Sequence, residues 1–361
     1  MKNLLFLFPL IYLAGNGYLF WRLWHTMTAL SLWYRIPATV LFGVLAFVLF
    51  AAIGLRESHI PDSILRVMYS VGSVWIIFIF YMVLILLAFD AARIFLPVSK
   101  YSFWYALFIT ATLLTYGYIN FRNVRVEEIT IGFDKKFDGE RIRVVAISDV
   151  HLGYGTGISA LKDYVTKINS YNPDIIFISG DLIDNSTKPL FSEPFAQALS
   201  ALKAPMGVYM VPGNHEYISG IDATAEFLGH TSVQLLRDSI VTLPNSIQII
   251  GRDDYSNRRR KSLAELVSRT NRENVIIVLD HQPYQLSKTD SLGVDLQLSG
   301  HTHHGQVWPV SMLTDYIYEQ SYGYRKWSYS HIWVSSGLSL WGPPFRIGTN
   351  SDMAVIDLIS K

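Results

Sequence analysis

Ile142-Arg-Val-Val-Ala-Ile-Ser148-Asp149-Val-His151 is an apolar, β-branched run that ends on a carboxylate and an imidazole. Such density of Val and Ile reads as a strand buried on both faces. The polar pair then falls where the strand stops. The construction recurs along the chain: the candidate strand 174–179 runs into Gly180-Asp181-Leu-Ile-Asp184, and 207–211 leads to Gly213-Asn214-His215-Glu216. Likewise 275–280 precedes His281, and 294–299 precedes Gly300-His301-Thr-His303. Further candidate strands are 247–251, 332–335 and 353–358. Residues 158–170 carry Leu161, Tyr164, Val165 and Ile168 at helical spacing before Pro173. Strands alternating with helices argue for a layered α/β domain with its sheet faces covered. In such sheets ligands gather beyond the carboxyl ends of the strands. Each fragment alone is a weak signal, but five in order are expected to converge on one rim.

Outward from this core the composition splits. Of 361 residues, 50% are hydrophobic and 16% charged. Residues 1–120 hold 7 Lys/Arg and 3 Asp/Glu, which leaves 23 and 26 for residues 121–361. The reading is a transmembrane helical domain over 1–120 and a catalytic domain over 121–361. Four apolar runs, 3–22, 37–55, 70–91 and 102–120, approach the ~20 residues that cross a bilayer. Gly15-Asn16-Gly17 interrupts the first, so three spans are the competing count. With only Lys2 as a charged leader and no convincing cleavage site, the first run reads as retained rather than as a signal peptide. Trp21, Trp24, Trp33, Trp75 and Trp104 suit an aromatic belt. Asp90, near the end of the third run, has Arg93 one turn on as its expected partner.

An even span count puts Lys2, Arg56, Arg66, Arg122 and Arg125 on one side and Arg22, Arg35, Arg93 and Lys100 on the other. That near tie favours a cytoplasmic catalytic domain only slightly. The chain has no cysteine, which excludes disulfides and thiolate metal sites. No basic excess points to nucleic acid. The bilayer is the expected partner, and oligomeric state is not legible.

The five fragments offer carboxylate, amide oxygen and imidazole, the donors preferred by hard or borderline divalent cations. Asp149 and His151, alternate residues of an extended segment, are expected to point the same way and bind one ion. His301 and His303 repeat that spacing and could serve one ion each. Gly180 lets the backbone turn tightly before Asp181, whose carboxylate can bridge two ions. Gly213 is expected to free Asn214 in the same way. Two ions ~3.5–4 Å apart form a clamp for in-line attack at phosphorus. His215 is then placed to protonate or stabilise the leaving oxygen.

The series D-x-H, G-D-x-x-D, G-N-H-[DE], H, G-H-x-H resembles the calcineurin-like metallophosphoesterase superfamily. That resemblance implies a four-layer α/β sandwich of two mixed sheets flanked by helices. It implies Asp149, His151, Asp181 and His303 as ligands of one ion and Asp181, Asn214, His281 and His301 as ligands of the other, with His215 catalytic. Two divalent cations follow, Mn first, with Fe, Zn and Mg as alternatives. Gly300-His-Thr-His-His304-Gly305-Gln306 and 336–348 resemble the membrane-associated branch, which includes bacterial phosphodiesterases and UDP-2,3-diacylglucosamine hydrolases. That branch often has Gly-Gly where this chain has His304-Gly305, and one N-terminal span where four are read here. The implied setting is a bacterial inner membrane, crossed several times.

Beside the ligand set, Asp184 and Glu216 are expected to orient ligands, and His304 and Arg346 are candidates for substrate contact. Arg258-Arg259-Arg260-Lys261 reads as a solvated run, with a dock for anionic headgroups as the sharper alternative. Trp308, Trp341 and Phe345 could line an apolar entrance, with at least one expected in the core. The expected function is hydrolysis of a phosphodiester, pyrophosphate or phosphomonoester, with an amphiphilic, lipid-linked substrate. The alternatives are a tethered phosphodiesterase for soluble nucleotides, and a receptor or transporter regulated by its phosphoesterase domain.

Overall fold

The computed structural model describes residues 2–360 except 136 and 138, and side chains from residue 9 onward. Two compact units emerge, residues 1–119 with 342–345, and residues 120–341 with 346–361. The first is built from α1 (Lys2–Thr26), α2 (Leu32–Gly54), α3 (Asp62–Ala92) and α4 (Ser102–Arg122). Helix α1 runs unbroken through Gly15-Asn16-Gly17. Asn16 Nδ2 donates to Tyr12 O at 2.8 Å, and its Oδ1 accepts from Trp75 Nε1 at 3.1 Å. Among the described residues, α2 and α3 are long and apolar enough to cross a membrane. The expectation of four spans is therefore met by two candidates. Thr110, Thr112, Thr115, Tyr116, Tyr118 and Asn120 dilute the apolar run of α4. Leu19, Phe42, Ile79, Met82, Leu86 and Phe103 form the core of this unit.

Asp90 has more partners than Arg93. Arg22 Nη1 lies 2.7 Å from Asp90 Oδ2, and Tyr18 donates to the same oxygen at 2.5 Å. Arg93 Nη1 stands 3.4 Å from Asp90 Oδ1, while both arginines donate to Ser102 Oγ. One carboxylate thus ties α1, α3 and α4 together. The sequence shows only the i,i+3 part of this cluster, because Arg22 lies 68 residues away.

The second unit contains β1 (Arg125–Phe133), β2 (Arg141–Ile147), β3 (Ile175–Ile178), β4 (Val208–Met210), β5 (Val233–Leu235), β6 (Ser239–Thr242), β7 (Gln248–Gly251), β8 (Ile276–Leu279), β9 (Leu296–Ser299), β10 (Gly323–Lys326), β11 (His331–Val334) and β12 (Asp352–Ser360). They form two six-stranded mixed sheets, ordered β1-β12-β2-β3-β4-β5 and β10-β11-β9-β8-β7-β6. Parallel pairing runs through β2-β3-β4-β5 in one sheet and β7-β8-β9-β11 in the other, with antiparallel strands at β12/β2, β6/β7 and β10/β11.

Alternation along these strands builds the layers. Val144, Ala146, Ile175 and Phe177 meet Ile249, Ile277, Leu296, Leu298 and Trp333 between the sheets. Val145, Ile147, Ile176 and Ile178 face the other way, onto Leu161, Val165 and Ile168 of helix Ile158–Asn169 and onto Phe195 and Phe227. On the far sheet Ile250, Ile276 and Val278 pack on Leu263, Leu266 and Val267. Two sheets are thus enclosed by helices, which makes four layers. All eight strands expected from sequence form. The four that escape it, β1, β5, β6 and β10, are partly exposed and include edge strands, so they lack a continuous apolar run.

Candidate active site

Strands β2, β3, β4, β8 and β9 all end on one rim, and each is followed within a few residues by one of the five fragments. Beyond the strands the backbones stay stitched together. Asp149 N–H donates to Gly180 O at 3.0 Å, and His151 N–H donates to Asp181 O at 3.0 Å. Ligand geometry differs from expectation here. Asp149, His151, Asp181, His301 and His303 have φ of 55°, 49°, 51°, 71° and 48°, left-handed rather than extended. Their side chains converge because the backbone twists each one inward, a conformation that costs energy and persists only where its surroundings impose it. Gly213 is not a left-handed position at φ −104°. Its missing side chain serves close approach instead, since a Cβ would collide with Asp181 Oδ1.

Asp149, His151 and His303 form one constellation. His151 Nε2 and His303 Nε2 face each other at 3.1 Å, and Asp149 Oδ1 lies 3.4 Å from His303 Nε2. Asp181, His281 and His301 form a second, with His281 Nε2 3.1 Å from Asp181 Oδ2. Asp181 also groups with His151 and His215, so it stands between the two constellations. Asn214 Oδ1 is buried without a hydrogen-bond partner. His281 Nδ1 lies 2.7 Å from Ser179 O; by donating there it fixes the ring with Nε2 turned to Asp181.

This donor set fits divalent cations. Burial alone opposes ionisation of Asp149 and Asp181, yet the surrounding histidines hold both below the usual carboxylate range. Burial pushes His301 down to about 4 and His303 down to about 3, so both are neutral, ligand-ready imidazoles. His151 moves the other way: burial opposes its charge, but Asp149 and Asp184 raise it to about 10. The carboxylates demand positive charge, and without an ion they draw it from protons on histidine. Metal binding would displace those protons.

The supporting residues act on backbone and imidazole. Glu216 is wholly buried and accepts from the N–H groups of Asp181, Ile183 and Gly213 at 3.0, 2.9 and 2.6 Å, which clamps two ligand loops together. Burial, then the Asp181 charge, raises it to about 7. Asp184 Oδ1 lies 3.2 Å from His215 Nδ1 and 3.7 Å from His151 Nδ1. His304 stands outside both constellations, stacked on Tyr322 at 4.8 Å and 3.3 Å from Asp315. Arg346 is fully buried, and its guanidinium donates to the carbonyls of His303, Ser336, Gly337 and Ser339. There it braces the His303 loop and does not face solvent, where a substrate would arrive.

The basic run also divides. Arg258 and Arg259 are exposed, whereas Arg260 reaches inward to Asp280 at 2.9 Å and lies over the Tyr255 ring at 4.0 Å. Trp341 sits 6.1 Å from the His215 ring and is half exposed, Trp308 is exposed, and Phe345 is buried. Tyr318, 6.4 Å from His301 and stacked on Tyr284, was not foreseen. No motif spacing marks it, because only the fold brings residue 318 back to residue 301.

A family model described as calcineurin-like phosphoesterase matches residues 142–305. An uncharacterized metallophosphoesterase of Aquifex aeolicus is 30% identical over 262 residues, covering 71% of this chain and 99% of the relative. One from Helicobacter pylori is 35% identical over 66% of this chain and 64% of its own length, so the chain spans under two thirds of that relative. A Danio rerio protein named as a transmembrane protein with a metallophosphoesterase domain is 30% identical over 70% of this chain and 62% of its own. With the Aquifex relative spanned almost end to end, the chain belongs to the calcineurin-like metallophosphoesterases.

Proposed function

We propose that this protein is a membrane-anchored two-metal phosphoesterase acting on a phosphodiester, pyrophosphate or phosphomonoester of an amphiphilic, lipid-linked substrate. The observation that carries the reading is the pair of constellations joined at Asp181. Divalent ions held by Asp149, His151, Asp181 and His303, and by Asp181, Asn214, His281 and His301, would supply Lewis acidity and an acidified water for attack at phosphorus. His215, oriented by Asp184, holds a proton for the departing oxygen. Glu216 keeps the Asp181 and Gly213 loops at a set distance, and Arg346 fixes the His303 carbonyl. Mn is the favoured metal, and no nucleic acid is expected as partner.

Membrane anchoring is supported by the outward side of α2, where Trp33, Tyr34, Ile36, Val40, Leu41, Val44 and Phe47 are exposed. A water-facing helix would carry charge there. The Danio rerio relative's name points the same way. A second reading, a receptor or transporter regulated by its phosphoesterase unit, draws on the Asp90 cluster, since paired charges inside apolar helices are a functional signal by default.

The test is hydrolysis of bis-p-nitrophenyl phosphate, p-nitrophenyl phosphate, phospholipid esters in mixed micelles, and nucleotides by the full chain in detergent with Mn²⁺. Diester cleavage lost in Asp181→Asn, with lipid esters turned over faster than nucleotides, is the expected result. Faster turnover of nucleotides would overturn the amphiphilic substrate. No turnover of any ester with two metals bound would leave the receptor reading standing.

A further inference from the structure

Helix Val310–Ile317 begins five residues after the ligand turn His303–Gly305. Its outward side is apolar, with Met312 63% and Tyr316 89% exposed, beside exposed Leu313 and Ile317. Met312 and Tyr316 lie four residues apart, as do Leu313 and Ile317, so they form adjacent ridges on one face, with exposed Trp308 just ahead of the helix. The acids of the segment are engaged elsewhere. Asp315 accepts from the Ser321 hydroxyl and stands 3.3 Å from His304 Nε2, and Glu319 accepts from Leu286 N–H at 2.6 Å. Asp315 and Glu319 remain exposed, so a carboxylate held by His304 borders the apolar ridge of Met312, Leu313, Tyr316 and Ile317.

This helix is seated on the ligand loop. Gly305 adopts φ +66°, and a Cβ there would come within 2.5 Å of Ser311 N, so the first helical turn lies directly on the turn that carries His303. At the other end, Thr302 donates to Ser321 O at 2.6 Å and the Tyr318 ring stands 6.4 Å from His301. Any surface that engages the helix therefore engages a body continuous with His301 and His303.

The same chain carries two helices apolar enough to cross a bilayer, so a bilayer is the apolar phase this protein itself brings into play. Trp and Tyr mixed with Met, Leu and Ile are the side chains that settle at headgroup depth. We propose that the Trp308–Ile317 face rests in the headgroup layer of the membrane and presents the ligand rim to phosphoester groups held there. The inference rests on the membrane-anchored reading and adds the surface that performs the approach.

Because the chain has no cysteine, one introduced thiol gives a clean probe. Tyr316→Cys and, as reference, the exposed Glu265→Cys are each labelled with a polarity-sensitive nitrobenzoxadiazole. The full chain is then reconstituted in phosphatidylcholine–phosphatidylglycerol vesicles with or without brominated acyl chains. Expected are a blue shift and loss of emission to bromine at residue 316 and neither at 265. Equal water exposure at both positions would overturn the proposal. Shielding at 316 that follows the protein-to-lipid ratio but ignores bromine would assign the face to a second copy and also overturn it. In parallel, Met312→Gln/Tyr316→Gln should lose turnover of vesicle-embedded phosphoesters while keeping p-nitrophenyl ester turnover; equal turnover of both would count against it. Quenching at 316 without lipid hydrolysis would sink the lipid substrate alone, whereas lipid hydrolysis without quenching would sink the surface alone.

Discussion

Two clusters of ionisable groups, a half-buried one in the helical unit and a buried one on the rim, meet their electrostatic demands in opposite ways. In the helical unit Asp90 is answered by Arg22, Tyr18 and Arg93, and the arginines by Ser102, so the charge is balanced within the chain. On the rim Asp149 and Asp181 lie buried among histidines, while Asn214 Oδ1 and His303 Nδ1 have no hydrogen-bond partner. A buried polar group without a partner costs on the order of 1–3 kcal/mol. A fold retains several at one point only if something from outside completes them. The paired cluster is therefore architecture by this criterion, and the unpaired one is a site.

The sharpest way to break the contrast is Asp181→Asn. Turnover should vanish while the metal-free protein melts no lower, because a buried negative charge is removed and the amide oxygen can still accept from His215 N–H; a large drop in melting temperature would show that Asp181 is structural. Next, His215→Gln should cost about 10²–10⁴-fold in turnover with metal content unchanged by elemental analysis. Loss of bound metal would make His215 a ligand instead. Asp184→Asn should cost roughly 10–100-fold, as for a group that orients an imidazole from behind, and an unaltered rate would remove it from the machinery.

Smallest in turnover is Arg22→Leu, which leaves Asp90 to Tyr18 and the more distant Arg93 and should destabilise the helical unit by about 1–2 kcal/mol with p-nitrophenyl ester hydrolysis per bound metal unchanged. Arg22→Leu/Asp90→Leu should recover much of that stability, since apolar replacements of a paired charge are often neutral. If either variant abolished hydrolysis, the helical cluster would be part of the working mechanism and the division drawn here would fail.

Much of this was legible because each ligand fragment is local. Asp149-Val-His151 sits two residues from the end of an apolar strand, and a parallel strand of Val and Ile announces itself in any sequence. Strands with one wet face, such as β6 and β10, carry no such signal and were missed. Arg260 looked like part of a solvated run because its partner, Asp280, lies twenty residues downstream. Of the four apolar runs, two qualify as spans by length and hydropathy among the described residues, and the threonines, tyrosines and asparagine of α4 change what its length means.

By itself, then, the sequence determined the layered α/β fold, the residue types at the rim and the chemistry they favour, since strand burial and ligand spacing are encoded within a few neighbouring residues. Only the tertiary structure decided how those residues reach one another. It twisted the ligand backbones to positive φ, set Asp181 between two constellations and turned Arg346 into a brace for the His303 loop. It also closed the Arg22–Asp90 pair and seated the apolar helix Val310–Ile317 on the ligand turn. These features depend on contacts between segments far apart in the chain, and no local pattern records which distant segment will arrive.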